Sequence, residues 1–109
     1  MRDIPDDAGA TMRDAPPLTG RQRKTLRGRA HRLQPVVLVG RDGVTDAVLR
    51  AVGEALTTHE LVKVRLHEPE DKRSAAESLA EGTGAALCGL VGHTVILYRP
   101  HPERPKITV

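Results

Sequence analysis

The chain has 109 residues, a formal net charge of +3 and 39% apolar residues, which suits one modest domain. Tyr98 is its only aromatic residue, so the core must be built from Val, Leu, Ile and Ala, and domains that stack bases on aromatic rings are disfavoured. Cys88 is the single cysteine, which excludes an intramolecular disulfide and fits a reducing compartment; with no signal-like leader and no apolar run of about 20 residues, a cytoplasmic protein with no membrane partner is expected.

Residues 1–17 set Arg2 and Arg13 against Asp3, Asp6, Asp7 and Asp14 and end in Pro16-Pro17. They show no hydrophobic period and are expected to form a disordered tail. The remainder holds 15 basic against 10 acidic residues, a balance that favours a polyanionic partner. The folded unit is expected over 18–100, with an extended, proline-rich tail over 101–109. A first helix starts at Thr19, with Gln22 completing a capping box. Leu26, Ala30 and Leu33 mark its buried stripe, and Pro35 stops it. Val36-Val37-Leu38-Val39 reads as a central strand buried on both faces. Gly40-Arg41-Asp42-Gly43 is a tight turn. Thr45 caps a second helix with Asp46 in its first turn, and Val44, Val48, Val52 and Leu56 repeat every four residues.

Leu61 to Leu66 alternates enough to be a strand with Lys63 and Arg65 on one face. Glu68-Pro69-Glu70-Asp71 reads as the opening of a third helix, and Gly82 as its stop. Ala85–Val91 and Thr94–Tyr98 form a hairpin across Gly92-His93. The order α-β-α-β-α-β-β implies a compact α/β domain whose four-stranded mixed sheet is covered by helices.

The first helix carries the strongest functional signal. Thr19 to Arg32 holds Arg21, Arg23, Lys24, Arg27, Arg29 and Arg32 and no acid. At 100° per residue Arg21, Lys24, Arg27, His31 and Arg32 fall opposite Leu26. Exposed helices ordinarily mix signs, because i,i+4 ion pairs stabilise them. An unmixed face is explained by an external polyanion, with a plain solubility face as the alternative. Gly28 lies within the charged arc and would let a phosphate approach, although an exposed glycine is also simply tolerated. The Gly40–Gly43 loop joins a strand to a helix N-terminus, where free amides and the helix dipole favour anions. The GxxG loop of KH domains clamps nucleic-acid backbone in this way. Asp42 opposes that role through its charge. Lys63 and Arg65, two apart on one strand face, either extend the basic surface or mark an exposed sheet edge where lysine deters aggregation.

These stretches resemble the CRM family (chloroplast RNA splicing and ribosome maturation) in its stand-alone bacterial, YhbY-like form. The resemblance rests on Leu18 to His31, Pro35 to Thr45, His59 to Val64 and Gly92 to Pro100, in the same order. It implies a fold similar to the C-terminal domain of translation initiation factor three. It also implies RNA binding through the glycine loop and adjacent basic surface, and association with ribosomal RNA and precursors of the large ribosomal subunit. Asp42 departs from the family, whose loop often has a polar or basic residue there.

Nothing else in the chain reads as chemistry. The five histidines are scattered without metal-ligand spacing, and Cys88 sits in an apolar run where a thiol behaves as a small hydrophobe. The expectation is therefore a non-enzymatic, monomeric RNA-binding protein without metal, cofactor or small-molecule substrate. The rival reading is an adaptor for ribosome-associated proteins, with RNA contact incidental.

Overall fold

The computed structural model describes residues 15–109; the expected disordered tail of 1–17 lies outside the described residues except for 15–17, which belong to no helix or strand. The elements are α1 (Gly20–Ala30), β1 (Pro35–Val39), α2 (Asp46–His59), β2 (Leu61–Leu66), α3 (Lys72–Thr83), β3 (Ala86–Val91) and β4 (Thr94–Tyr98). The sheet order is β1-β2-β4-β3, with β1 parallel to β2 and the other neighbours antiparallel. The expected α/β domain with a mixed four-stranded sheet is therefore observed.

The sheet has two unequal faces. Val62, Val64 and Leu66 of β2 pack with Val52, Leu56, Ala76 and Leu79 beneath α2 and α3. Leu61, Cys88, Ile96 and Tyr98 point the other way and meet Leu26 and Ala30 of α1, as the alternation of a strand requires. Thus α1 is seated by two fully buried residues one turn apart. Its start is set by the expected capping box: Gln22 N donates to Thr19 Oγ1 at 3.1 Å, and Thr19 N to Gln22 Oε1 at 2.9 Å.

Several expectations need correction. β1 is an edge strand, not a central one, because the β3–β4 hairpin occupies the other flank of β2. Val37 and Val39 face the α2 side, while Val36 and Leu38 are 46% and 60% exposed. β2 is internal, which removes edge protection as an explanation of Lys63. Leu33 lies beyond the end of α1 and is exposed. The third helix begins only at Lys72: Asp71 caps it, accepting from Ser74 N at 3.1 Å, and Glu68, Pro69 and Glu70 precede it. Gly82 is not the stop. A Cβ there would stand 2.6 Å from a Leu49 methyl, so its role is close approach of α2 to α3. The stop is Gly84, at φ +70, in the left-handed region that glycine enters freely.

The chain beyond Pro100 has no helix or strand, yet it returns to the domain. Glu60, fully buried, receives it. Its carboxylate accepts from the amides of His101 (2.8 Å), Lys106 (2.9 Å) and Ile107 (2.9 Å). Glu60 also caps α2 with φ +67. A non-glycine residue held at such a sparsely populated positive φ costs about 1–3 kcal/mol; bonds from amides to a buried carboxylate contribute about 1.5–3 kcal/mol each, so the side chain outweighs the backbone cost. Arg99 adds a second tie. Its guanidinium donates to the carbonyls of Thr83 and Gly53 and to Thr57 Oγ1, joining the C-terminal halves of α2 and α3.

Burial alone would raise the Glu60 carboxyl, but the three amides and the Lys106 charge overcome it and hold the group below its ordinary value of 4.5. A carboxyl depressed in the folded state stabilises above its unfolded value, and that stability is lost as pH falls through the folded value. Urea unfolding should therefore show wild-type stability declining below about pH 4.5. Glu60→Gln should lose about 3 kcal/mol at pH 7 and flatten that decline.

Candidate functional site

The exposed side of α1 is set by what its other side buries. With Leu26 and Ala30 against the sheet, Arg21, Lys24 and Arg29 are exposed, as are His31 and Arg32 in the turn that follows. Among the described residues the only ion pair is His67 Nε2 to Glu68 Oε1 at 3.8 Å. The α1 cations are thus not neutralised by any described carboxylate. Gly28 lies open on this surface, where a Cβ would meet nothing within 4 Å.

Two expected contacts have a structural task as well. Arg27 does not point straight outward. Its guanidinium donates to the Cys88 carbonyl at 2.8 Å. Its stem lies over Gly89, where a Cβ would fall 2.7 Å from Arg27 Cδ. Gly89 is bare because an arginine stem crosses it. Similarly, Lys63 Nζ donates to the Leu33 carbonyl at 3.1 Å and ties β2 to the segment after α1.

The glycine loop forms the expected turn, with Gly43 N donating to Gly40 O at 3.1 Å and Gly43 at φ +76. Gly40, Arg41 and Asp42 are exposed. The Gly43 amide is used inside the turn, and the Val48 amide is taken by Thr45 Oγ1. No hydrogen bond among the described residues uses the Arg41 and Asp42 amides, which remain available to an anion. The groove beside the loop, however, is lined by Asp42, Glu68, Glu70 and Asp71 as well as Arg41.

Helix and loop are not brought together. The segment after α1 enters β1 at Pro35 and the loop leaves it after Val39, a separation of about 16 Å for a five-residue strand. The space between them on the α1 side of the sheet is filled by β2. Lys63 pairs with Pro35, and exposed Arg65 pairs with Leu38. Arg65 therefore continues the basic surface from helix to loop. Alternation with Leu61 and Lys63 is the signal that places it there, once the buried face is known.

The Cys88 thiol is buried between α1 and the sheet. Burial pushes it up to about 11, against the pull of the Arg23 and Arg27 charges.

A CRS1/YhbY (CRM) domain model matches residues 18–99. Over 92 residues the chain is 39% identical to YqeI of Bacillus subtilis, named as a probable RNA-binding protein; the match covers 83% of this chain and 96% of that one. It is 39% identical over 88 residues to a protein of Haemophilus influenzae named as an RNA-binding protein, covering 79% of this chain and 89% of its relative. The solution structure of SAV1595 from Staphylococcus aureus, described as a candidate RNA-binding protein, superposes with a TM-score of 0.75 at 30% identity. That match covers 85% of this chain and 99% of SAV1595.

Two measurements check the local assignments. Arg27→Ala should destabilise the domain by about 1–2 kcal/mol through the lost bond and stem packing, while Arg21→Ala should stay within about 0.5 kcal/mol, both by urea unfolding. Iodoacetamide at pH 8 should leave Cys88 of the native protein largely unmodified and label it rapidly in denaturing urea.

Proposed function

The chain belongs to the CRS1/YhbY (CRM) domain family, and from that premise we propose that it is a non-enzymatic protein that binds structured RNA through the phosphate backbone. The observation that carries this reading is the basic face of α1, which no described carboxylate neutralises. Like charges crowded on one helix repel at a small cost per pair, and a phosphodiester chain offsets it. Arg21, Lys24 and Arg32 contact phosphates. Gly28 lets the backbone come close, and Lys63, Arg65 and Arg41 extend the track toward the glycine loop.

The loop is the minor partner. Its amides can meet a phosphate, but the four carboxylates along its groove oppose one. Arg27 and Lys63 contribute charge while holding main-chain carbonyls. Because surface aromatics are missing, recognition follows RNA shape more than base stacking. The names of its relatives support an RNA partner. The family resemblance supports ribosomal RNA in large-subunit precursors as that partner, met in the cytoplasm by a monomer.

Fluorescence anisotropy with a ribosomal RNA fragment tests the helix. The Arg21→Ala/Lys24→Ala/Arg32→Ala variant should bind much more weakly at low salt. The slope of log affinity against log salt should fall by about 2–3, roughly 0.7–0.9 per phosphate contact removed. An unchanged slope with an unchanged affinity would remove α1 from the interface.

A further inference from the structure

We propose that the groove between the C-terminal end of α1 and the returning C-terminal segment holds a single unpaired nucleotide of the bound RNA, an inference that rests on the RNA-binding reading above. The groove encloses about 520 Å³, within the range of small-molecule sites. Its apolar lining comes from Leu33, Val36, Leu61, Val62 and Ile107, and the cations Arg29 and Lys106 line it too. None of the ten residues that line it is acidic. The groove beside the glycine loop has nearly the same volume, about 550 Å³, but is lined by four carboxylates. An anion is thus drawn to the first groove and repelled from the second.

A nucleotide combines a flat, largely apolar base with a phosphate, which matches a lining of aliphatic and cationic side chains. Proteins read RNA mostly at unpaired bases splayed from the helix. Tyr98, the only aromatic, is buried under α1, so a splayed base must rest on aliphatic side chains and the His59 imidazole, which also lines the groove. The side-chain amide of Gln34, which lines the groove, can pair with a base edge.

The walls are built before any ligand arrives. The Glu60 carboxylate grips the Lys106 and Ile107 amides on one side. Lys63 Nζ holds the Leu33 carbonyl on the other. Such preorganisation spares the ordering cost of binding. The groove also lies where the α1 track ends, next to Arg29, so a backbone followed along the helix leads to it. This position gives the exposed Val36 and Leu33, otherwise unpartnered, an occupant.

The test compares an RNA hairpin carrying an unpaired loop with a blunt duplex of the same stem. Leu33→Ser/Val36→Ser alters two exposed side chains and should leave the unfolding midpoint nearly unchanged. It should weaken hairpin binding about ten-fold, as loss of apolar contact with one base implies, with the duplex affected less than about two-fold. Methyl resonances of Leu33, Val36 and Ile107 should move on titration with the hairpin and stay still with the duplex. If those methyls stay still with both RNAs and the variant binds the hairpin like wild type, while the α1 triple variant still loses affinity, the nucleotide pocket is wrong and the RNA-binding reading stands. If the wild type binds neither RNA, both fall.

Discussion

Glu60 is the residue on which the arrangement of this domain turns. It ends α2 at a positive φ of 67°, precedes the internal strand β2, and accepts three amides of the C-terminal segment on one buried carboxylate. A buried charge is tolerable only when its lone pairs are filled, and here main-chain donors fill them. The consequence reaches both layers. Ile107, brought in by this clamp, packs on the cluster beneath α1, while Lys106 Nζ reaches back to the Thr58 carbonyl of α2 at 3.3 Å. A nine-residue segment without regular structure becomes a wall beside the ends of two helices.

The division of the sheet into two faces explains the placement of charge. α2 and α3 cover one face with an ordinary aliphatic core. α1 covers only part of the other, because it has just Leu26 and Ala30 to bury. Everything else on that helix is free to be basic. Cations that sit close to the sheet are drawn into structural use: Arg27 crosses Gly89 to a strand carbonyl and Lys63 secures the turn after α1. Those farther out, Arg21 and Lys24, pair with no described carboxylate and stay exposed. Electrostatics also ranks the two grooves. The glycine loop has the geometry of an anion cradle but acidic surroundings, whereas the groove at the other end of β1 has cations and no acid.

Much of this could be read along the chain. The caps at Thr19 and Thr45, the stripe ending in Val52 and Leu56, the hairpin at Gly92-His93 and the strand at Leu61 all follow from periods and turn chemistry within a few residues. The errors share one character. Val36 to Val39 has the composition of a central strand but lies at the edge, because strand order depends on where the distant hairpin inserts. Gly82 looks like a stop because a helix-ending glycine and a close-packing glycine are the same letter. Arg27 seems to face outward on a helical wheel, which contains no neighbouring strand to attract it.

By itself the sequence determined the element order, the starts of the first two helices, the unmixed basic face of α1 and the family resemblance, since each depends on local spacing or residue type. Tertiary structure alone decided that Glu60 would collect the C-terminal segment, that the basic helix and the glycine loop would stand at opposite ends of β1, and that an acid-free groove would open beside Arg29. Those features are made by residues far apart in the chain, such as Glu60 with Ile107 and Arg29 with Lys106, and no local period encodes which of them will meet. Their positions follow from the packing of two faces of one sheet, where burial and hydrogen-bond satisfaction are settled for the whole domain at once.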